Sequence, residues 1–322
     1  MPASISVKRF FLGVDGGQSS TTALIADEMG RVRGVGRAGP CNHASGEEGR
    51  QKLIRALTEC LSAASQSAGL DPIPRFASAC LGLSGGPADK EALVSRIVGS
   101  DKITVTHDAA IALAGALAGQ PGVIVIAGTG SIAFGRNVED RTARAGGWGY
   151  VFGDEGGAFH IVRQALRAAL RLEEGWGRAT SLRAVLLEST SAEDANDLLH
   201  RFYTPEFPRP RIAALAKLVD QAAGEGDAAA REILFQSAQA LVELAGVVRR
   251  QLFRPADATR FSYLGGVFRS RIVRERFFTL LETDPSNCVV APVHGPAAGA
   301  LLEAFRVARV PCSLSNVPEE KV

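Results

Sequence analysis

One local pattern occurs twice in the sequence, near the start of each half. Each copy has an apolar strand, a short turn rich in glycine, and a second apolar strand. The turns are DGGQSS at 15–20 and GTGS at 128–131, and the flanking strands are 10–14 with 21–26 and 123–127 with 132–134. A repeated unit of this kind predicts an internal duplication in which each half begins with a β-hairpin.

Strands alternate with amphipathic helices after the first hairpin. Helices are predicted at 46–68, 90–98 and 108–118, and strands at 77–83 and 103–105. This alternation predicts parallel strands joined by crossover helices, and hence an α/β fold. The segment Gly-Gln-Pro-Gly at 119–122 interrupts the pattern, so we expect a first domain over residues 1–118.

The rest of the chain predicts a second domain, over residues 119–295, that includes a helical insertion. Its helices are predicted at 182–188, 192–203, 212–223 and 227–253. The last helix, predicted at 296–307, is expected to pack back against the first domain. The polar tail that starts at Pro311 is expected to fray.

Composition argues against several classes of function. The 322 residues carry a net charge of +2 without a basic stripe, which predicts no nucleic-acid partner. No apolar stretch approaches the roughly 20 residues of a membrane span, so no membrane partner is expected. The five cysteines include no C-x₂-C pair, which argues against zinc and disulfides and favours reduced thiols in the cytoplasm.

The first turn combines a carboxylate with glycines. In phosphoryl transfer an enzyme positions the phosphates and neutralises their charge, commonly with Mg²⁺ held through carboxylates and water. Asp15 can therefore make the metal–water contact while residues 16–20 hold the β- and γ-phosphates. The alternative is a plain hairpin turn. The Walker motif G-x-x-x-x-G-K-[ST] is absent, and the G-x-G-x-x-G at 34–39 does not open a helix.

Asp108 and Asn42 are two further candidates. Asp108 begins a predicted helix, whose dipole would keep its carboxylate ionised and able to accept a proton from a sugar hydroxyl. It can equally be an ordinary N-cap residue. Asn42 lies in a loop with glycine and proline, where its amide can bind hydroxyl groups or simply form a turn.

The segment that follows the second hairpin contains an aromatic residue and two acids between glycines. Trp148 lies between Gly147 and Gly149, which leave it little to pack against, and an exposed tryptophan suits the face of a sugar ring. Asp154 and Glu155 can recognise hydroxyl groups, with Asp154 favoured, or can cap the helix that follows.

The chain resembles the N-acetylglucosamine kinase family in a set of short motifs. In chain order they are GVDGGQSST, THDA, AGTGS, GGWG with GDEG, LGGVFRS and GPAAGALLEA. The resemblance runs from about residue 10 to residue 305. That family belongs with the benzoyl-CoA reductase-activator-type ATPases to the actin/hexokinase-like superfamily. The resemblance therefore implies two actin-like (ribonuclease H-like) ATPase domains with an interdomain cleft.

The resemblance also implies roles for individual residues. Asp108 would be the catalytic base, and Asp15 would hold Mg²⁺ through water. The sugar would be held by Asn42, Asp108, Gly147, Trp148, Gly149 and Asp154. ATP would be held by Gly16, Gly17, Gln18, Ser19, Thr129, Gly130, Gly226, Gly265, Gly266 and Ser270. The sequence departs from the family pattern at Ser19, where threonine is common, and at Ile132, where some members have asparagine.

The function implied by these motifs is ATP-dependent phosphorylation of an amino sugar, N-acetylglucosamine, at its 6-hydroxyl, by a cytoplasmic homodimer. Glucosamine is the alternative substrate. An activating ATPase of 2-hydroxyacyl-CoA dehydratases would need cysteines placed to bind an iron–sulfur cluster, and the cysteines here have no such pattern. A non-catalytic sensor of sugar and ATP is the third alternative.

Overall fold

A computed structural model describes residues 9–41, 46–84 and 90–320. The chain divides into two compact units. Unit 1 contains the described residues up to Pro121 and those from Ala291 onward, and unit 2 is Gly122–Val290. The sequence-based boundaries lie at 118/119 and 295/296. Among the described residues, no helix is long and apolar enough to cross a membrane.

Unit 1 contains a five-stranded mixed sheet with helices on both faces. Its elements are β1 (Phe10–Gly16), β2 (Thr21–Asp27), β3 (Val32–Ala38), α1 (Glu47–Ser67), β4 (Ser78–Leu83), α2 (Glu91–Ile97), β5 (Ile103–Thr106), α3 (Asp108–Ala116) and α11 (Pro296–Ala308). The strand order is β3-β2-β1-β4-β5. The first three strands pair antiparallel, and β4 and β5 continue the sheet in parallel with β1, as crossover helices require.

The helix α11 completes the core of unit 1, although it is separated in sequence from the rest of the unit. It contacts β1, β4 and α3, and the ring of Phe305 stacks on that of Phe11 with centroids 3.9 Å apart. A Cβ atom at Gly13 would collide with the backbone of Leu301, so glycine at this position of β1 permits the close approach. The opposite face of the sheet is covered by α1 through Leu57 and Leu61.

The C-terminal tail is ordered, so the prediction that it frays is wrong. Ser315 exchanges backbone hydrogen bonds with Val32 and Gly30, each of 3.0 Å. Leu314 and Val317 pack against the core cluster around α11. Apolar residues alternate with polar ones in this tail, so its average composition is polar, whereas alternation is the pattern of a segment that lies along a surface with one side buried.

Unit 2 repeats the sheet of unit 1. Its strands are β6 (Gly122–Ala127), β7 (Ser131–Arg136), β8 (Thr142–Gly146), β9 (Thr259–Leu264) and β10 (Asn287–Val289). The order is β10-β9-β6-β7-β8, with β6–β7–β8 antiparallel and β9 and β10 parallel to β6. Counted from the hairpin, this is the order of unit 1. The predicted α/β fold with an internal duplication is confirmed.

The helices of unit 2 are α4 (Ala158–Glu173), α5 (Leu182–Thr190), α6 (Ala195–Arg201), α7 (Arg209–Ala213), α8 (Ala216–Gly224), α9 (Ala228–Leu252) and α10 (Arg271–Leu281). A short 3₁₀ turn at Gly266–Arg269 precedes α10. The single helix predicted at 212–223 is wrong, because the chain forms two helices, α7 and α8. The helix α10 was not predicted. The long helix α9 packs on β6, β7 and β8 and on α10.

Candidate active site

The first glycine turn lies in unit 1, at the end of β1. Gly17 donates to the carbonyl of Ser20 (2.9 Å) and accepts from Cys41 (3.1 Å), and these bonds fix the turn. Gln18 and Ser19 are exposed. Within the described ranges their backbone N–H groups have no partner. Free N–H groups on a tight turn form a concavity that suits an anion such as a phosphate.

Asp15 lies one residue before the end of β1 and is the most perturbed carboxylate of unit 1. Its pKa is raised to about 7, mainly by burial and then by the negative charges of Glu320 and Asp108. A divalent cation would relieve this crowding of negative charge. No set of three or more His, Cys, Asp or Glu side chains in the described part of the chain forms a cage for a metal. One or two carboxylates together with water are the usual ligands of Mg²⁺, so the chemistry of Asp15 suits contact with such an ion through water.

Glu320, in the C-terminal tail, supplies part of this charge. Its carboxylate accepts the N–H groups of Ala297 and Ala298, each at 3.1 Å, at the start of α11. Burial raises the pKa of Glu320, and the two N–H donors lower it. The tail thus brings a third carboxylate into the surroundings of Asp15. Sequence analysis missed Glu320, because nothing in a polar tail indicates which distant helix it caps.

Asp108 is the first residue of α3 and is exposed. Its Oδ2 accepts the Ser84 hydroxyl at 2.9 Å, and its Oδ1 accepts the N–H of Ala109 at 2.8 Å. The N-cap residue is His107, whose side chain makes no cap hydrogen bond, and Asp108 is the residue after it. The interpretation of Asp108 as an N-cap is therefore wrong. The carboxylate is oriented by Ser84 and has a face open to a ligand.

The second glycine turn, in unit 2, is built like the first. The N–H of Gly128 donates to the carbonyl of Gly130 (2.9 Å). At the start of α4, the N–H of Ala158 donates to the carbonyl of Gly128 (2.9 Å), and the N–H of Phe159 donates to the carbonyl of Thr129 (3.1 Å). In the ranges that the structure describes, the N–H groups of Thr129 and Gly130 have no partner. Each half of the duplication thus offers a pair of free N–H groups on a rigid turn.

A cavity of about 420 Å³ adjoins this second turn. Its lining includes Gly128, Thr129, Ala158, Ile161, Pro210, Ala213, Lys217, Asp220, Gly266, Val267, Arg269 and Ser270. The Ser270 hydroxyl donates a short hydrogen bond to Asp220 and accepts the N–H of Val273 at 3.2 Å as the N-cap of α10. The cavity combines apolar walls with one carboxylate, one ammonium group and one guanidinium group, and small-molecule sites commonly combine apolar walls with a few polar groups.

Two of the glycines expected near the adenosine end of ATP are not in this lining. Gly265 has φ of +103°, and a Cβ atom there would collide with the carbonyl of Ala127, so it supports the wall from behind. Gly226 lies in the turn between α8 and α9, with φ of +101°. Gly266 and Ser270 do line the cavity. The cavity residues Lys217 and Asp220 were not predicted. An amphipathic helix carries many polar residues, and only the folded insertion determines that these two line the cavity.

Gly147, Trp148 and Gly149 form an exposed segment after β8. Both glycines have positive φ (+74° and +81°), a conformation that glycine adopts without strain. Gly147 is fixed by its N–H bond to the carbonyl of Ser131 (2.9 Å) and packs against Ile132. Trp148 is 66% exposed, with the guanidinium carbon of Arg144 4.9 Å from its ring centroid. Most of the indole is therefore available to a ligand.

Asp154 is buried and faces the second turn from below. It accepts the N–H of Ser131 at 3.3 Å and forms a short ion pair with Arg209. A Cβ atom at Gly130 would collide with its carboxylate. The N-cap of α4 is Gly157, without a side-chain cap bond, so the interpretation of Asp154 or Glu155 as its cap is wrong. Arg209 was missed, since its partner is 55 positions away in the sequence. Asn42 lies outside the described residues.

Comparisons with known proteins match nearly the whole chain. The family model described as the BadF/BadG/BcrA/BcrD ATPase family matches residues 12–304. The N-acetylmuramic acid/N-acetylglucosamine kinase of Clostridium acetobutylicum is 30% identical over 305 residues, which are 92% of this chain and 98% of that protein. The N-acetyl-D-glucosamine kinase of Dictyostelium discoideum is 29% identical over 319 residues, with the same coverage of 92% and 98%.

A solved structure shows the same fold. It is the crystal structure of a candidate N-acetylglucosamine kinase from Chromobacterium violaceum, with a TM-score of 0.73 and 28% identity over 91% of this chain and 98% of that one. The chain is a member of the BadF/BadG/BcrA/BcrD ATPase family.

Proposed function

We propose that this protein is an ATP-dependent sugar kinase that phosphorylates the 6-hydroxyl of N-acetylglucosamine. The observation that carries the proposal is the cavity of unit 2, because it leads to a turn whose free N–H groups suit phosphate oxygens. The kinase names of the relatives, which span the same length of chain, support the reaction class. The two units would serve as the two domains of the enzyme.

ATP would bind with its adenosine end in the cavity, beside Gly265, Gly266 and Ser270, with Gly226 at the start of the neighbouring helix. Its phosphates would reach the second turn, at Thr129 and Gly130, and the first turn, at Gly16, Gly17, Gln18 and Ser19. Backbone N–H groups carry no charge of their own and are fixed before the ligand arrives, so they bind phosphate without costly reorganisation.

Asp108 would act as the general base. Its carboxylate would take the proton of the sugar 6-hydroxyl while that oxygen attacks the γ-phosphorus and ADP leaves. The hydrogen bond from Ser84 supports this role, because it fixes one carboxylate oxygen. Mg²⁺, held near Asp15 through water, would neutralise the phosphate charge when bound. Burial beside two other carboxylates makes Asp15 a favourable place for that ion.

The sugar would be bound by Asn42, Gly147, Trp148, Gly149 and Asp154, together with Asp108. The open face of Trp148 suits stacking against the ring, and glycine backbone groups on both sides suit hydrogen bonds with hydroxyls.

We further propose a cytoplasmic homodimer. Light scattering on the purified protein tests the oligomeric state. A cytoplasmic location is supported by the spacing of the five cysteines, which suits neither a disulfide framework nor a zinc site.

A sugar panel tests the proposed substrate. ADP release is measured with N-acetylglucosamine, glucosamine, N-acetylmuramic acid and glucose, and the phosphorylated carbon of each product is located by NMR. We expect the highest kcat/KM for N-acetylglucosamine, because polar groups that bind the acetamide are left unpaired by glucosamine. Faster turnover of glucosamine would leave the kinase assignment in place and overturn the named substrate. No ADP release with any sugar would favour a sensor.

A further inference from the structure

Asp154 places a negative charge directly beneath the second glycine turn. Its carboxylate is 6% exposed, accepts the Ser131 N–H, and lies against Gly130. An ionised carboxylate so close to a phosphate-binding turn would repel the phosphates, and burial would strengthen that repulsion because little water screens it. A buried carboxylate in such a place therefore needs a fixed positive partner.

Arg209 is that partner. One guanidinium nitrogen, Nη2, forms the short ion pair with Oδ2 of Asp154. The guanidinium carbon lies 5.0 Å from the ring centroid of Tyr150 and 5.9 Å from that of Phe159. These two rings contact each other edge to face, 5.1 Å apart. Two aromatic faces and a carboxylate hold the guanidinium in one orientation, as expected for arginine and not for lysine.

The helix that carries Arg209 also forms part of the nucleotide cavity. Arg209 is the first residue of α7, and Pro210 and Ala213 of the same helix line the cavity. In the described part of the chain, Nε of Arg209 is buried and has no hydrogen-bond partner. A buried donor is left unsatisfied only at a cost, so this placement of the guanidinium is maintained by its ion pair and ring contacts.

We propose that Arg209 is a positioning residue of the nucleotide site: it holds Asp154 under the second turn and cancels the carboxylate charge that would otherwise repel the phosphates. The proposal rests on the proposed function, in which this turn holds ATP. It assigns a role to the helical insertion, which contributes to phosphate affinity through Asp154 without touching a phosphate.

The test is a charge-compensation cycle. The variants are Arg209→Met, Arg209→Lys, Asp154→Asn and the double variant Arg209→Met/Asp154→Asn. Arg211→Met is the matched control, since Arg211 is on the same helix but stacks on Phe207, 4.1 Å from its centroid. Binding of the magnesium complex of a non-hydrolysable ATP analogue is measured by calorimetry without sugar.

We expect Arg209→Met to weaken nucleotide binding by about tenfold or more, because it leaves one charge uncompensated close to the phosphates. The double variant should bind within about threefold of Asp154→Asn, since no charge remains to be compensated. Arg209→Lys should lie between wild type and Arg209→Met, and Arg211→Met should match wild type. Thermal midpoints recorded on the same samples identify any variant that has lost its fold.

The outcomes separate this inference from the proposed function. Wild-type affinity in Arg209→Met would overturn the inference alone. A double variant as weak as Arg209→Met would also overturn it, since the arginine would then act by contacting the nucleotide itself. Wild-type protein that binds no nucleotide would overturn the proposed function, and this inference with it.

Discussion

At the scale of single residues, the proposed general base Asp108 is held in place by its neighbours. It is exposed, and one of its oxygens is fixed by the Ser84 hydroxyl. It is not the N-cap residue of α3, although its Oδ1 accepts the Ala109 N–H at the start of that helix, and an asparagine oxygen can accept the same bond. The chemical role of Asp108 and its structural role can therefore be separated by one substitution.

Asp108→Asn should lower kcat by roughly 10²- to 10⁴-fold, the usual contribution of general-base catalysis, because an amide cannot take the proton. Sugar affinity, measured by calorimetry, and the thermal midpoint should both stay close to wild type, since the asparagine oxygen can accept the Ala109 N–H while its amide group donates to the Ser84 hydroxyl. Asp101→Asn is the control, because Asp101 is exposed in the same unit and pairs only with Arg75 in a surface ion pair. Near-normal turnover in Asp108→Asn would rule out the base assignment.

Sequence alone indicated the residues that share a short motif, and missed those that depend on distant neighbours. Gly128–Ser131 could be predicted, because a glycine turn between two apolar strands is a local pattern. Arg209, Asp220 and Glu320 could not, because each acquires its partner only when the insertion or the tail folds onto another element. The alternative of a helix cap was wrong at Asp108 and at Asp154, since N-cap positions are defined by backbone geometry that sequence fixes only to within a residue or two.

At the scale of elements, the C-terminal tail belongs to unit 1. It pairs with the segment around Gly30 to Val32, and Glu320 accepts the two N–H groups that begin α11. Unsatisfied N–H groups at the start of a helix are costly when they are partly buried. The tail therefore stabilises the helix that completes the core.

Glu320→Ala should reduce the stability of unit 1 by about 1–2 kcal/mol, the usual value of a helix N-cap contact. For a unit of this size that corresponds to a thermal midpoint lower by about 2–8 °C. Glu319→Ala is the matched control, since Glu319 is the adjacent, exposed carboxylate. Equal midpoints for the two variants would show that the Glu320 contacts contribute nothing to stability.

The predicted bounds of helices and strands agree with the structure where the sequence has strong periodicity, and they disagree with it within the insertion. The strands of both hairpins and the long helix α9 were predicted to within a few residues. The apolar positions of α7 and α8 continue in phase across the break at 214–215, so periodicity alone merged them. The helix α10 was not predicted, because its apolar residues follow directly after those of the LGGVFRS motif and were not recognised as a separate periodic segment.

At the scale of the whole molecule, each unit has its own sheet, its own core and its own glycine turn. The cavity and the second turn are in unit 2, whereas the first turn, Asp15 and Asp108 are in unit 1. Ligands that contain different parts of ATP should therefore protect different segments of the two units from hydrogen exchange.

Hydrogen exchange measured by mass spectrometry should show which segments each ligand protects. Saturating adenosine should slow exchange in unit 2 only, at 216–220 and 266–270, two segments that contribute residues to the cavity lining. The magnesium complex of a non-hydrolysable ATP analogue should add protection at 16–20 and 128–131, because phosphates would occupy the free N–H groups of both turns. Unchanged exchange at 16–20 with the analogue would remove the first turn from the phosphate site. Adenosine protection outside the cavity would relocate the nucleotide.

The close packing of α11 on β1 has a consequence for how the chain is made. Unit 2 is continuous in sequence, so all of it has left the ribosome while the strands of unit 1 still lack their last helix. At a synthesis rate of about 5–20 residues per second, β1 waits roughly 14–60 s for the chain to reach α11 and the tail. Nascent unit 1 thus exposes the apolar face around Phe11 throughout that interval, and unit 2 is the part of the molecule that can mature first.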